Sequence, residues 1–328
     1  MGGYGRETLS ATCKSNVRQG SPRMTFPEKT YPEAGPVSLA ANITLYEPTR
    51  ALINGDIASD LVSFEFAGLK NAHSGFKDML RRNRFDISEM AIATFLQAHE
   101  FGKPFSLLPV VVLGRFQHHC IGYNIERHPN MTPADLPGKT VGVRSYTQTT
   151  GLWIRGILQN EYGVDPDSVT WLCFDQPHLE EYTDPPSVIR GDPAKDPVNM
   201  LLDGEVDAAI LGMNMPKDPR VRTLIENPHE AALDWHKRER FVPPNHYVIV
   251  PNALCDQRPD LVREVWRMLV KSRAAATPEG SIDPWPVGIA ANRKALEAAI
   301  RFATQQHMIT KPITVEELFH PLIRDIAP

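Results

Sequence analysis

From residue 37 to the C-terminus, short apolar runs with strand character alternate with helix-periodic stretches. This alternation confines the chain to an α/β fold with mainly parallel sheets. Strands are expected at Pro36–Asn42, Leu61–Ala67, Leu107–Leu113, Cys120–Ile125, Lys139–Arg144, Val169–Phe174, Val206–Leu211 and His246–Pro251, with Phe85–Glu89 a short strand or turn. Leu61–Ala67 alternates apolar and polar residues, as a half-buried strand does, whereas Leu107–Leu113 is an unbroken apolar run. Helices are expected over Ser74–Arg82, Met90–Glu100, Thr149–Tyr162, Pro259–Ala276 and Asn292–His307, with a helical turn at Asn199–Leu202. A capping box at Thr314–Glu317 opens the last helix. Residues 175–197, rich in Pro and Asp, read as a long loop.

Several function classes fall away on simple grounds. Leu107–Leu113 is the longest apolar run, and a membrane span needs about 20 such residues, so no transmembrane helix is expected. The net charge of −4 offers no concentrated basic surface for nucleic acid. Residues 1–36 read as a disordered tail, with Gly, Ser, Arg and Lys scattered and no apolar core that a secretory signal requires. Met24 is an alternative start to Met1. Cys13, Cys120, Cys173 and Cys255 form no CxxC pair, which fits a reduced, cytoplasmic protein. Leu136–Thr140 (LPGKT) imitates a phosphate loop, but Pro133 stands where the leading glycine must be and the segment enters a strand. GxGxxG, GxSxG and HExxH are absent.

Lys139–Val169 (KTVGVRSYTQTTGLWIRGILQNEYGVDPDSV), Asn199–Ile210 and His246–Ala276 resemble the second lobe and later segments of type II periplasmic-binding-protein folds. YEPTRALINGDI at Tyr46–Ile57, FDISEMAIATF at Phe85–Phe95, DPWPVGIAANRKALEAAIRF at Asp283–Phe302 and TVEELF at Thr314–Phe319 narrow the resemblance to the 4,5-dihydroxyphthalate decarboxylase family, over about residues 37–328. The resemblance implies two α/β lobes with the ligand cleft between them. The first lobe would hold residues 37–137 plus 246–328, the second 138–245. It also implies non-oxidative loss of CO2 from a hydroxylated phthalate-like diacid, no redox cofactor, a small aromatic acid as partner and a homo-oligomer.

That chemistry needs an acid for the ring carbon, a partner for the phenol and anion-binding groups for the second carboxylate. His118 and His119 lie on an expected strand and so point to opposite faces; the resemblance puts His119 in the cleft, while a satisfied core histidine is the other reading. His246 matches a family histidine, or is a hinge residue on a backbone carbonyl. Glu89 orients a histidine or takes a phenol proton, or merely favours a helix dipole. Arg50, after Thr49, and Arg115 are candidate carboxylate clamps, with an exposed helix start as the alternative for Arg50. Tyr146, Thr147, Gln148 and Thr149 stand at a strand-to-helix turn with free backbone N–H groups, an anion site or an ordinary cap.

The chain departs from the family pattern. Pro48, His118 and Asn214 replace arginines, Ser145 replaces a glutamate and Arg144 a proline, so Arg144 and Asn214 join the substrate-binding candidates. Other readings are a solute-binding protein of an ABC transporter, another enzyme on the same fold, and a divalent metal held by His119, His246 and Glu89. Of other enzymes, the pyrimidine-forming thiamine class carries a cysteine cluster that this chain lacks.

Overall fold

The computed structural model describes residues 26–327; Met1, Cys13 and Met24 lie outside the described residues. The strands are β1 Val37–Asn42, β2 Val62–Phe66, β3 Ile87–Ala91, β4 Phe105–Gly114, β5 Ile121–Asn124, β6 Thr140–Val143, β7 Thr170–Cys173, β8 Val188–Arg190, β9 Ala208–Ile210, β10 Val221–Thr223 and β11 Pro244–Pro251. The helices are α1 Arg50–Ile53, α2 Phe76–Arg82, α3 Ile92–Glu100, α4 Thr149–Tyr162, α5 Pro197–Leu202, α6 Pro228–Glu239, α7 Asn252–Gln257, α8 Pro259–Ala274, α9 Ile289–Gln305 and α10 Pro321–Ile326.

These elements make two sheets, in the orders β2-β1-β3-β11-β4 and β10-β5-β9-β6-β7-β8. Both are flanked by helices, the two-lobed arrangement expected. β3 is buried along its whole length and β4 over residues 105–112, as strands covered on both faces are. Both sheets are mixed. β1 runs parallel to β2 and β3, and β6 to β7 and β9, but β11 is antiparallel to β3 and β4, and β5 to β9 and β10. The reason is connectivity: β5 and β11 are the strands that follow the two passages between sheets. They start at the cleft and run away from it, whereas β1, β3, β4, β6, β7 and β9 run toward it.

The first passage falls between Gly114 and Ile121, so β5 belongs to the second sheet and the boundary is not at residue 137. The second ends at Pro244. The two passages are tied side by side. Arg115 N donates to Pro243 O at 3.1 Å, and Gln117 Nε2 donates to Asn245 Oδ1 at 2.8 Å. A second junction closes the rear. A Cβ on Gly156 of α4 would sit 1.9 Å from the Phe302 ring of α9, so only glycine permits this approach. Beside it, the buried Arg155 donates to Gln306 Oε1 at 2.8 Å and to Tyr146 O at 2.5 Å.

Local departures from the sequence reading have identifiable causes. His118–Cys120 is a 3₁₀ turn instead of strand, because the chain is turning between sheets there. β8 forms inside the expected loop 175–197, as an edge strand parallel to β7. Residues 26–36, expected in the tail, are pinned. Phe26 packs edge-on to Phe105 at 5.3 Å, Lys29 and Tyr31 reach Asp86, and Arg258 donates to Pro32 O and Gly35 O. At Thr314 only half of the expected capping box forms, Glu317 Oε2 accepting from both Thr314 N and Oγ1 at 2.7 Å, and it precedes a 3₁₀ turn at Glu316–Leu318; the last helix, α10, is capped instead by His320. Among the described residues no helix is long and apolar enough to cross a membrane.

Candidate active site

A cleft of about 400 Å³ opens where strands of both sheets end. Ligands of open α/β sheets bind at such carboxyl ends, where helix N-termini converge. The first sheet contributes His73, Ser74 and Lys77 from the segment opening α2. The second contributes Arg144, Ser145 and Gln148 after β6, with Phe174, Asp175, Gln176, His178 and Pro193 after β7 and β8.

Beside this cleft stands a carboxylate–imidazole pair. Glu89 on β3 is fully buried, and its Oε1 lies 2.5 Å from Nδ1 of His246 on β11. The register explains the meeting. Val248 is the antiparallel partner of Glu89, and His246, two residues before it, falls diagonally on the same face. The β11–β4 pairing is irregular at His246, the kind of bulge that re-aims a side chain. Glu89 Oε2 accepts from Thr44 N at 3.0 Å, so the carboxylate is held at both oxygens. With Nδ1 engaged, His246 Nε2 has no partner among the described residues. The His246 ring meets the edge of Phe76 at 5.6 Å, and His178 meets the same phenyl ring at 5.5 Å. His73 joins the pair to the cleft: burial first, then Arg144 and His246, pushes its imidazole below the ordinary range.

Arg115 follows β4 at the first passage between sheets. It donates to Thr150 Oγ1 at 3.3 Å, and its buried Nε has no hydrogen-bond partner among the described residues. His119 is half-buried beside it, with Nε2 at 3.6 Å from Cys120 Sγ, and burial followed by the Arg115 charge lowers its imidazole. Tyr46 lies near both sites. Burial and then the Glu89 carboxylate push its hydroxyl well above the usual phenol range, while Arg115 opposes them.

Arg144 lines the cleft with Nε buried and unbonded; Asp175 Oδ2 stands at 3.4 Å. Ser145 and Thr147 share a hydrogen bond at 3.2 Å. Thr149 opens α4 and accepts from Ala93 N at 3.3 Å, which sets the N-termini of α3 and α4 against each other. Gln148 caps α4 without a side-chain bond, and its buried Oε1 is unpaired among the described residues.

The structure places four candidates elsewhere. Arg50 is exposed and pairs with Glu47 one helical turn away, because the 3₁₀ turn at Glu47–Thr49 projects it outward. Thr49 is fully buried, donating to Thr44 O at 2.7 Å and accepting from Tyr46 N at 2.9 Å, so its hydroxyl is spent on the loop. Tyr146 points into the core, its ring under the Arg155 guanidinium at 3.9 Å and its hydroxyl on Gln306 O at 3.0 Å. Asn214 is exposed on the 3₁₀ turn after β9. His118 is also core, packed edge-on to Trp235 at 5.9 Å.

Sequence reasoning missed His73, Lys77, Asp175 and His178. The last two sit in the Pro- and Asp-rich stretch, where no periodicity marks a side chain as inward-facing. Among the described residues no three His, Cys, Asp or Glu side chains are grouped as metal ligands would be, so His119, His246 and Glu89 do not converge on one point. A smaller cavity of about 250 Å³, lined by Ile289, Arg293, Phe319 and Arg324, contains none of the candidates.

Comparison with known proteins fits this geometry. A 4,5-dihydroxyphthalate decarboxylase of Comamonas testosteroni is 26% identical over 325 residues, covering 87% of this chain and 97% of that one. The chain is similar in sequence to 4,5-dihydroxyphthalate decarboxylases. A second decarboxylase of that name, from Pseudomonas putida, is 27% identical over 214 residues, covering 61% of this chain and 82% of its own. No protein-family model matches. The fold is shared with binding proteins. The alkanesulfonate-binding protein SsuA of Xanthomonas axonopodis pv. citri, solved with MOPS, aligns with a TM-score of 0.51 at 12% identity, over 88% of this chain and 99% of that one. The ligand-binding component of an ABC-type import system from Staphylococcus aureus, solved with zinc, aligns with a TM-score of 0.52 at 10% identity, over 90% and 99%.

Proposed function

We propose that this chain is a cytoplasmic carboxy-lyase that releases CO2 from 4,5-dihydroxyphthalate, or a close hydroxylated ring diacid, to give protocatechuate or its counterpart. The Glu89–His246 pair carries the reading. Glu89 fixes the imidazole through Nδ1, leaving Nε2 to hand a proton to the ring carbon that bears the departing carboxylate. The hydroxyl para to that carbon supplies the electrons for the new C–H bond. The bond to the carboxylate then breaks, its electron pair returns to the ring as CO2 leaves, and aromaticity is restored. The net change is CO2 replaced by a proton, which solvent returns to His246.

Arg144 and Lys77, with the N-terminus of α4, supply the charge that holds a second carboxylate. Tyr46, near Glu89, and Arg115 supply groups for the phenol end. Cys120, Cys173 and Cys255 are buried and free, which supports a reducing compartment.

The fold neighbours favour one competing reading, a solute-binding protein of a transporter. A single assay separates the two. Purified protein incubated with 4,5-dihydroxyphthalate should evolve CO2 with many turnovers, and the His246→Gln variant should not. Saturable binding with no CO2 from the wild type would sink the enzyme reading.

A further inference from the structure

We propose that His178 is the residue that selects a ring diacid, donating from Nε2 to the carboxylate that stays on the ring. The proposal rests on the decarboxylase reading of the site and names how its substrate class is recognised.

His178 rides on the segment between β7 and β8, far in sequence from the strands that carry Glu89 and His246. The first lobe fixes that segment. Arg81 Nε donates to His178 O at 3.0 Å, Arg81 also pairs with Glu180, and Lys103 Nζ reaches Glu181 Oε1 at 2.7 Å. The imidazole itself is held at Nδ1, 3.0 Å from Thr94 Oγ1 in the first turn of α3. A threonine hydroxyl can donate to Nδ1, which leaves the ring proton on Nε2. Nε2 has no partner among the described residues, and His178 lines the cleft.

The surroundings choose the ligand. Lys77, Arg144 and Arg81 act on this imidazole as cations, and among the described residues Asp175 is the one carboxylate lining the cleft. Burial and these charges push His178 down to about 4, so at neutral pH it is an uncharged donor in a positive setting. An anion satisfies that wall; a neutral phenol does not. Position decides which anion. His178 and His246 both pack edge-on against the Phe76 ring. In the proposed pose the departing carboxylate faces His246 and its adjacent carboxylate faces His178. A monoacid would leave this donor without a partner, and sites built to pair a polar group reject analogues that lack it.

The test measures phthalate and benzoate binding by calorimetry in the wild type and in His178→Gln, His178→Asn and His178→Ala. A glutamine amide nitrogen reaches where Nε2 stands; an asparagine amide stops near Nδ1. Phthalate affinity should fall about 10- to 100-fold in the Asn and Ala variants and be largely regained in Gln, with benzoate little changed. The loss should be level between about pH 5 and 8, because His178 does not titrate there. Thr94→Val, which leaves the ring in place but unfixed, should weaken phthalate in the same direction. Equal loss for phthalate and benzoate, no loss in any variant, or Gln no better than Asn overturns the proposal. Wild-type protein that binds phthalate yet releases no CO2 from 4,5-dihydroxyphthalate overturns the decarboxylase reading, and the calorimetry still decides the role of His178.

Discussion

The two walls of the cleft are built differently. On the first sheet, Glu89 and His246 sit on adjacent buried strands, and the carboxylate is bonded at both oxygens. On the second, Arg144, Gln148, Asp175 and His178 sit on turns and loops, and Arg144 Nε and Gln148 Oε1 are buried without hydrogen bonds. On the first wall the Glu89 carboxylate is satisfied without a ligand; the second is built from looser groups, a guanidinium donor on Arg144 and an unpaired amide acceptor on Gln148 among them. Strand-borne groups are placed with the accuracy that proton transfer requires, while loop-borne groups can be exchanged to suit a different acid.

If this division is right, His246→Gln should have the largest effect, lowering kcat by about 100- to 10,000-fold in a CO2-release assay. Its melting temperature should also fall, because a glutamine amide at the Nε2 position leaves the fully buried Glu89 Oε1 without its partner, so kcat is read on folded protein at a temperature below the transition. Glu89→Gln removes the charge but keeps an acceptor for Thr44 N. It should lower kcat about 10- to 100-fold as a positioning residue, and restoring the carboxylate as Asp should recover less than the native length does. On the other wall, Arg144→Gln should raise KM about tenfold with kcat nearly unchanged, the mark of lost uniform binding. A fall in kcat equal to that of His246→Gln would erase the distinction between the walls.

A smaller effect concerns pH. His118 and His178 are both held down to about 4 by burial, His118 by the His119 and Arg238 charges as well and His178 by Lys77 and Arg144. Unfolded, both take up protons near pH 6.5, whereas the folded chain does not until about pH 4. Stability should therefore be level above about pH 6.5 and fall as pH drops from there toward about 4, read as a declining melting temperature. His118→Phe should reduce that decline. The smallest effect belongs to Arg50→Ala, which removes an exposed pair with Glu47 and should leave kcat/KM unchanged and stability within about 0.5 kcal/mol.

The same contrast explains what could be read in the sequence. The alternation of strands and helices gave the fold class; His246 was singled out by its match to a family histidine and Glu89 by its place at a strand end, and the β3–β11 register is what brings the two together. The turn after β6 was legible as cleft-lining, but not in detail. Which of Tyr146, Thr147, Gln148 and Thr149 faces the cleft depends on packing against α9, and Tyr146 turns inward onto Arg155. Arg50 and Thr49 were misplaced because a 3₁₀ turn rotates them off the expected face. β5 was assigned to the wrong lobe because nothing in the pattern of Gly114–Ile121 marks a passage between sheets. His178 was invisible because it is positioned by partners on α2 and α3 nearly a hundred residues earlier, a long-range arrangement without local periodicity.

The most direct measurement of this account is a crystal structure with phthalate, a ring diacid without the hydroxyls that allow turnover. One carboxyl-bearing ring carbon should stand about 3–4 Å from His246 Nε2, with the neighbouring carboxylate on Arg144 and His178. Phthalate bound with both carboxylates on the second-sheet wall and the ring out of reach of His246 would contradict it.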